Sequence, residues 1–152
     1  MQLRAIRATI LSFVLLGLMG CTISTPVTNV GSYEGLKNSD RSNATLYVYR
    51  ESAAFGSVNQ YDVMVNGELA GSLPNGSFFT VDVLPGETKV EPRTLTAFGF
   101  GNGSTVSVDK GKPYCFKLTL NFCLQCKSAN IVAVNTPKCE AEIDSLRKVK
   151  LK

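Results

Sequence analysis

At 152 residues the chain has room for one domain with a real core, and its formal charge of +4, from 16 Lys and Arg against 12 Asp and Glu, is too small to mark a nucleic-acid binder. It contains no His and no Trp. The lack of His excludes Ser–His and Cys–His nucleophilic catalysis and histidine-ligated metal centres.

The first seven residues carry Arg4 and Arg7 and no acid, and residues 8–20 are uncharged and rich in Leu, Ile, Val and Phe. A membrane-spanning helix needs about 20 apolar residues, so this run is too short to cross a bilayer and fits the apolar region of a secretory signal. It ends in Leu18-Met19-Gly20-Cys21, which resembles the lipobox of bacterial lipoproteins. That resemblance implies cleavage between Gly20 and Cys21 and a diacylglyceryl group on the Cys21 sulfur. Gly20 is small enough for the peptidase cleft, and only Cys supplies the thiol. Met19 stands where Ala, Ser, Thr or Val is more usual. Thr22, rather than Asp, follows the cysteine, which by the sorting rule of such lipoproteins implies the outer membrane, facing the periplasm. Taking 20 residues from 152 leaves 132, and losing Arg4 and Arg7 lowers the formal charge from +4 to +2.

Residues 22–43 are poor in large apolar side chains and rich in Ser, Thr, Asn and Gly. They predict a flexible tether behind Cys21, with an r.m.s. reach of about 25 Å. From residue 44 short strand patterns alternate with turn signals, at 44–50, 60–65, 68–73, 78–83, 88–95, 105–109, 114–121 and 130–135. Leu46 and Val48 alternate with Tyr47 and Tyr49, so the first of these has apolar material on both faces and is expected to be central. Asn66-Gly67 is a type I′ hairpin signal, and Pro74-Asn75-Gly76 and Pro85-Gly86 mark further turns. At the end, Thr136-Pro137 reads as an N-cap followed by proline, and Cys139, Ile143 and Leu146 recur at helical spacing. A helix over 137–148 is expected, with the closing lysines at its solvated exit. The fold class is mainly β: an antiparallel sandwich or partly open barrel of about seven or eight strands with one C-terminal amphipathic helix, spanning 44–152.

Tyr47-Val48-Tyr49-Arg50, Val63-Met64-Val65-Asn66-Gly67, Gly71-Ser72-Leu73-Pro74-Asn75-Gly76-Ser77-Phe78-Phe79 and Pro85-Gly86 follow one another in an order that resembles a family of small bacterial lipoproteins. The family's domain has no assigned function and a β-sandwich-like body. The likeness covers roughly residues 44–148 and rests on turn and core residues, so it implies fold rather than activity and carries over no catalytic residue. The cysteine-rich segment is not part of that pattern.

Four cysteines follow Cys21: Cys115, Cys123, Cys126 and Cys139. In an exported domain an even number points to two disulfides, of three possible connectivities. A hairpin centred between Leu124 and Gln125 would set Cys123 opposite Cys126 and Cys115 opposite Val134, five residues before Cys139. Alternation separates Cys115, Lys117 and Thr119 from Tyr114, Phe116 and Leu118. A helix folded over the first face would bring Cys139 to Cys115. The expected pairs are Cys115–Cys139 and Cys123–Cys126. Two other readings compete: a four-thiolate zinc site, for which a second close pair is missing, and a redox-active Cys123-Leu124-Gln125-Cys126, which lacks the helix N-terminus that lowers a reactive thiol's pKa.

Phe98-Gly99-Phe100-Gly101 is glycine-rich but no helix follows, so phosphate binding is a weak reading. Phe98 and Phe100 are either core aromatics beside a loop or a partner-contact site, and Phe55 in the Ala53-Ala54-Phe55-Gly56-Ser57 stretch is equally two-sided. Arg50, at its strand end, is expected to form a local ion pair. Together these features predict a membrane-anchored envelope lipoprotein, a non-enzymatic binding or structural module without cofactor or metal. Its expected partners are the membrane, through the lipid on Cys21, and an envelope protein or glycan, with no nucleic acid. The alternative is a periplasmic thiol-disulfide enzyme using Cys123 and Cys126.

Overall fold

The computed structural model describes residues 29–37, 41–93, 101–123 and 126–151, with the backbone alone at 29–30, 122–123 and 126–127. In chain order the strands are β1 (Asn29–Gly31), β2 (Ala44–Arg50), β3 (Tyr61–Val65), β4 (Glu68–Leu73), β5 (Ser77–Val83), β6 (Gly86–Arg93), β7 (Ser104–Val108), β8 (Pro113–Cys123), β9 (Cys126–Val134) and β10 (Arg147–Val149). The helix α1 (Thr136–Ile143) lies between the last two. A six-stranded sheet of order β1-β10-β5-β2-β8-β9 faces a four-stranded sheet of order β4-β3-β6-β7. The fold is therefore a β-sandwich with one C-terminal helix. Most pairings are antiparallel; β2 with β8 and β10 with β5 are parallel.

Period-two alternation builds the core. Leu46 and Val48 of β2, Phe79 of β5, and Phe116 and Leu118 of β8 point inward to meet Val63 and Val90 of the smaller sheet, all fully or nearly fully buried. The other face of the large sheet is buried as well. Tyr47, Tyr49, Phe78 and Cys115 form a second cluster with Cys139 and Ile143 of α1 and with Leu146, and Tyr33 and Leu36 pack against it. All seven residues of β2 are buried, and β2 lies between β5 and β8, central as its composition requires. Asn66 and Gly67 take φ of 51° and 85°, the two positive values a type I′ turn demands.

Four features differ from the sequence expectations. The stretch read as a tether is, from Asn29 on, part of the domain: β1 pairs antiparallel with β10, and Tyr33 sets its ring edge-on to Tyr47 and Phe78 at centroid distances of 6.4 and 6.0 Å. The N-cap is Asn135 rather than Thr136, because the Asn135 side chain accepts from the Lys138 N–H at 3.1 Å. The helix ends at Ile143 instead of running on to 148. The Leu146 N–H donates to the Ile143 carbonyl at 2.8 Å, and the chain then passes into β10, whose backbone bonds to β5 and β1 replace those of further helical turns. Finally, β1 and β10 carry the strand number past the expected seven or eight.

Candidate functional site

Gly20 and Cys21 lie outside the described residues, as do Phe98 and Phe100. The candidate site residues that are described gather in two places: the seam where α1 lies on the large sheet, and the loop that follows β2.

At the seam, the β8–β9 hairpin has the register expected from the cysteine spacing: Cys115 stands opposite Val134 and Cys123 opposite Cys126. Cys115 and Cys139 form a disulfide with Cα atoms 6.2 Å apart, both sulfur-bearing residues buried. With their sulfurs joined to each other, these two are not available to a four-thiolate zinc site. The Cys123 and Cys126 side chains lie outside what is described, and the backbone that carries them is the facing ends of strands β8 and β9, not a helix start.

Beside the disulfide sits a charged cluster that the sequence reading did not single out. Parallel pairing sets Tyr49 of β2 opposite Lys117 of β8, two residues along the same face from Cys115. Glu142, three residues after Cys139 on α1, comes down on both. Tyr49 Oη donates to Glu142 Oε2 at 2.6 Å, and Lys117 Nζ lies 2.9 Å from the same oxygen and 2.5 Å from Glu51 Oε2. Burial pushes the Glu142 carboxyl up, but the Tyr49 hydroxyl and the Lys117 ammonium outweigh it and hold the group below the usual glutamate range. Burial likewise works against the Lys117 charge, yet its hydrogen bonds to Glu51 and Glu142 leave its pKa above normal. Burial first, and then the Glu142 hydrogen bond, raise that of Tyr49. A lysine so firmly protonated is a poor base or nucleophile. What the cluster can do is hold α1 in register on the sheet, next to a covalent bond that does the same.

The second place is the loop 51–60. Arg50 is almost completely buried (2% exposed), and where an ion pair was expected it forms none with a described residue. Its guanidinium donates instead to the carbonyls of Asn59 and Gly56 at 2.7 and 2.8 Å and lies over the Tyr61 ring, 5.0 Å from the centroid. Carbonyl dipoles and a ring face stand in for a carboxylate here, and burial draws the Arg50 pKa below its ordinary value. Asn75 grips the other side of the loop, accepting from Ala53 N–H and donating to Ala53 carbonyl, both at 3.0 Å. The loop so held carries Phe55, 59% exposed, and Val58, 92% exposed.

A third feature is a depression of about 370 Å³ between the 31–37 segment and the outer face of β2 and β5, lined by Tyr33, Thr45, Tyr47, Phe78, Thr80 and Lys148. Burial, followed by the charge of Glu140, raises the Tyr33 pKa to about 12. The aromatic rings in this nook are spent mainly on one another. Tyr47 Oη is engaged by the Lys37 backbone, accepting from its N–H at 2.7 Å and donating to its carbonyl at 2.8 Å.

The fold and these features define a two-sheet β-sandwich with one helix clamped to its outer face by a disulfide and an ion cluster. The chain belongs to the family described as protein of unknown function (DUF2846), whose model matches residues 40–135. The match runs from β2 through β9, so β1, α1 and β10 lie outside it. No curated protein and no solved structure matches the chain.

Two outcomes follow for the clamp. Cys115 and Cys139 are 24 positions apart, so in the chain-entropy model their bond contributes about 3–4 kcal/mol. Cys139→Ala should lower the unfolding free energy by at least that amount in denaturant titration. In hydrogen exchange, reduction should expose the α1 amides while those of β2 stay protected; α1 amides as slow as in the oxidised protein would contradict this. The second outcome concerns acid. A carboxyl whose folded pKa lies below its unfolded value of about 4.5 contributes stability above that value and loses it as pH falls through the lower folded pKa. Thermal unfolding of Glu142→Gln at pH 7 should show a loss of about 1–3 kcal/mol. The difference from the unmodified protein should shrink as pH falls below about 4.5. A difference that stays constant to pH 2 would mean that the Glu142 charge is not what stabilises the seam.

Proposed function

We propose that this chain is a membrane-anchored lipoprotein of the bacterial envelope. It acts as a non-enzymatic binding or structural module and is held by acyl chains on Cys21 at the outer membrane, facing the periplasm. The observation that carries the reading is the pairing of two features: an uncharged run ending in Leu18-Met19-Gly20-Cys21, and a buried disulfide in the domain that follows. Stable disulfides belong to oxidising compartments, which is where a lipobox sends a protein. One acyl chain binds a bilayer marginally, whereas the several that a lipoprotein cysteine carries hold it there. The absence of His from the sequence, and a largely buried lysine locked between two carboxylates, support a binding role over catalysis. The clasped 51–60 loop, with Phe55 at its tip, is the contact surface we assign to an envelope protein or glycan.

Mass spectrometry of the membrane fraction should find an N-terminal lipopeptide beginning at Cys21, and Cys21→Ala should leave an unprocessed precursor. A soluble protein with an unmodified N-terminus elsewhere would refute the anchor. The competing reading, thiol-disulfide exchange by Cys123 and Cys126, separates in an insulin-reduction assay. The module reading expects no turnover above background, and turnover abolished by Cys123→Ser would replace it.

A further inference from the structure

The chain enters the fold in a set direction. β1 runs antiparallel to β10, with Asn29 opposite Val149, and β10 runs parallel to β5, with Lys148 opposite Phe78. A chain continuing straight back from Asn29 therefore heads for the end of the sheet towards which β5 runs. Three of the loops at that end are set side by side by the strand registers. Val83 pairs with Ala44, which leaves Leu84 beside Asn43; Gly86 pairs with Val108, which leaves the 84–85 turn beside Asp109 and Lys110. The Gly111 N–H donates to the Asn43 carbonyl at 2.8 Å and closes the group. Leu84 protrudes from it, 78% exposed, more than any other leucine among the described residues.

The charged groups around Leu84 are of both signs, three cations and three acids, and most of them are not paired with one another. Lys112 is paired with Asp109 at 2.9 Å, and Asp82 accepts from Thr45 Oγ1 at 2.7 Å. Exposed Arg41 and Lys110 form no ion pair with a described residue, and Glu87 is the exposed acid nearest the turn that has none. An apolar tip with two cations at hand that no described carboxylate pairs offers contacts to lipid phosphates and to the acyl layer beneath them.

Chain length lets this end reach the membrane. Eight peptide steps separate Cys21 from Asn29, at most about 27 Å when extended. Asn29 stands near the level of Phe79, five residues short of Leu84, or about 17 Å along the strand. A straight leash therefore ends only about 10 Å past Leu84. We infer that the end of the sandwich formed by 41–43, 83–86 and 109–112 is a membrane-contacting face: Leu84 enters the boundary between headgroups and acyl chains of an anionic phospholipid bilayer, and Arg41 and Lys110 meet the lipid phosphates. The inference rests on acylation of Cys21. It adds an orientation, with the Phe55 loop, at the opposite end of β2, pointing away from the bilayer.

The chain has no Trp, so a single introduced Trp reports its own surroundings. The lipidated protein is purified from membranes and reconstituted in phosphatidylethanolamine–phosphatidylglycerol vesicles with brominated acyl chains. Leu84→Trp should emit about half as strongly, or less, than in unbrominated vesicles, while Phe55→Trp should lose no more than about a tenth. Adding Arg41→Glu and Lys110→Glu to Leu84→Trp should roughly halve the quenching. Protein that floats with the vesicles but leaves Leu84→Trp unquenched, or quenches Phe55→Trp as strongly, overturns the membrane-contacting face and leaves the anchor standing. Protein that does not float with the vesicles overturns both.

Discussion

Everything outside the sandwich core answers to one strand. β2 exposes none of its seven residues, and its two faces demand different cover. Leu46 and Val48 need only apolar partners, which the smaller sheet supplies. Tyr47 and Tyr49 bring rings that must be buried and hydroxyls that must be hydrogen-bonded once buried. The Lys37 backbone meets the first hydroxyl and Glu142 the second. Two remote segments, one between β1 and β2 and one between β9 and β10, are thus called to the same face by two side chains two residues apart.

That demand makes the seam between helix and sheet costly to leave half made. Glu142 without Lys117 would be a shielded carboxylate short of a counter-charge, and Lys117 without Glu142 would retain only the more exposed Glu51. The disulfide removes the choice by keeping α1 where both are satisfied. The same logic, without charge pairing, governs Arg50. A guanidinium is easier to strip of water than an ammonium, and carbonyl oxygens aimed at it replace that water, so a buried cation becomes the post to which a surface loop is tied.

How far the sequence could be read depended on whether a residue's partners were near and of ordinary type. Asn66-Gly67 needs no distant information, because positive φ at both positions is a property of the turn itself. The tyrosine–aliphatic alternation of β2 announced burial on both faces, and the cysteine spacing set the β8–β9 register. The C-terminal segment was harder. Lys148-Val149-Lys150-Leu151 alternates polar with apolar, a strand signature, but its lysines following a helical pattern read as a helix exit. What makes it a strand is the unpaired edge of β5 beside Gly76, which lies far away in sequence. The 29–37 segment has only Tyr33 and Leu36 as sizeable apolar anchors past β1, too sparse to stand out from a tether. Asn135 and Thr136 are both good caps, and only geometry decides between them. The ion cluster had one legible trace: Lys117 shares a strand face with Cys115, and Glu142 a helix face with Cys139, so joining the cysteines also joins the charges.

The pairing of β1 with β10 has a bearing on timing. Asn29 bonds across to Val149, 120 positions later, so the first strand cannot reach its place until nearly all of the rest has arrived. A chain is synthesised with its amino end leading, and contacts this remote in sequence are the slowest to form. Throughout synthesis the β1 segment must wait without its β10 partner. The edge it will share is not finished until β10 has been laid against β5. Completing the sheet is thereby made the last event in the protein's assembly, and a chain cut short before residue 147 would leave both β1 and the edge of β5 without a neighbour.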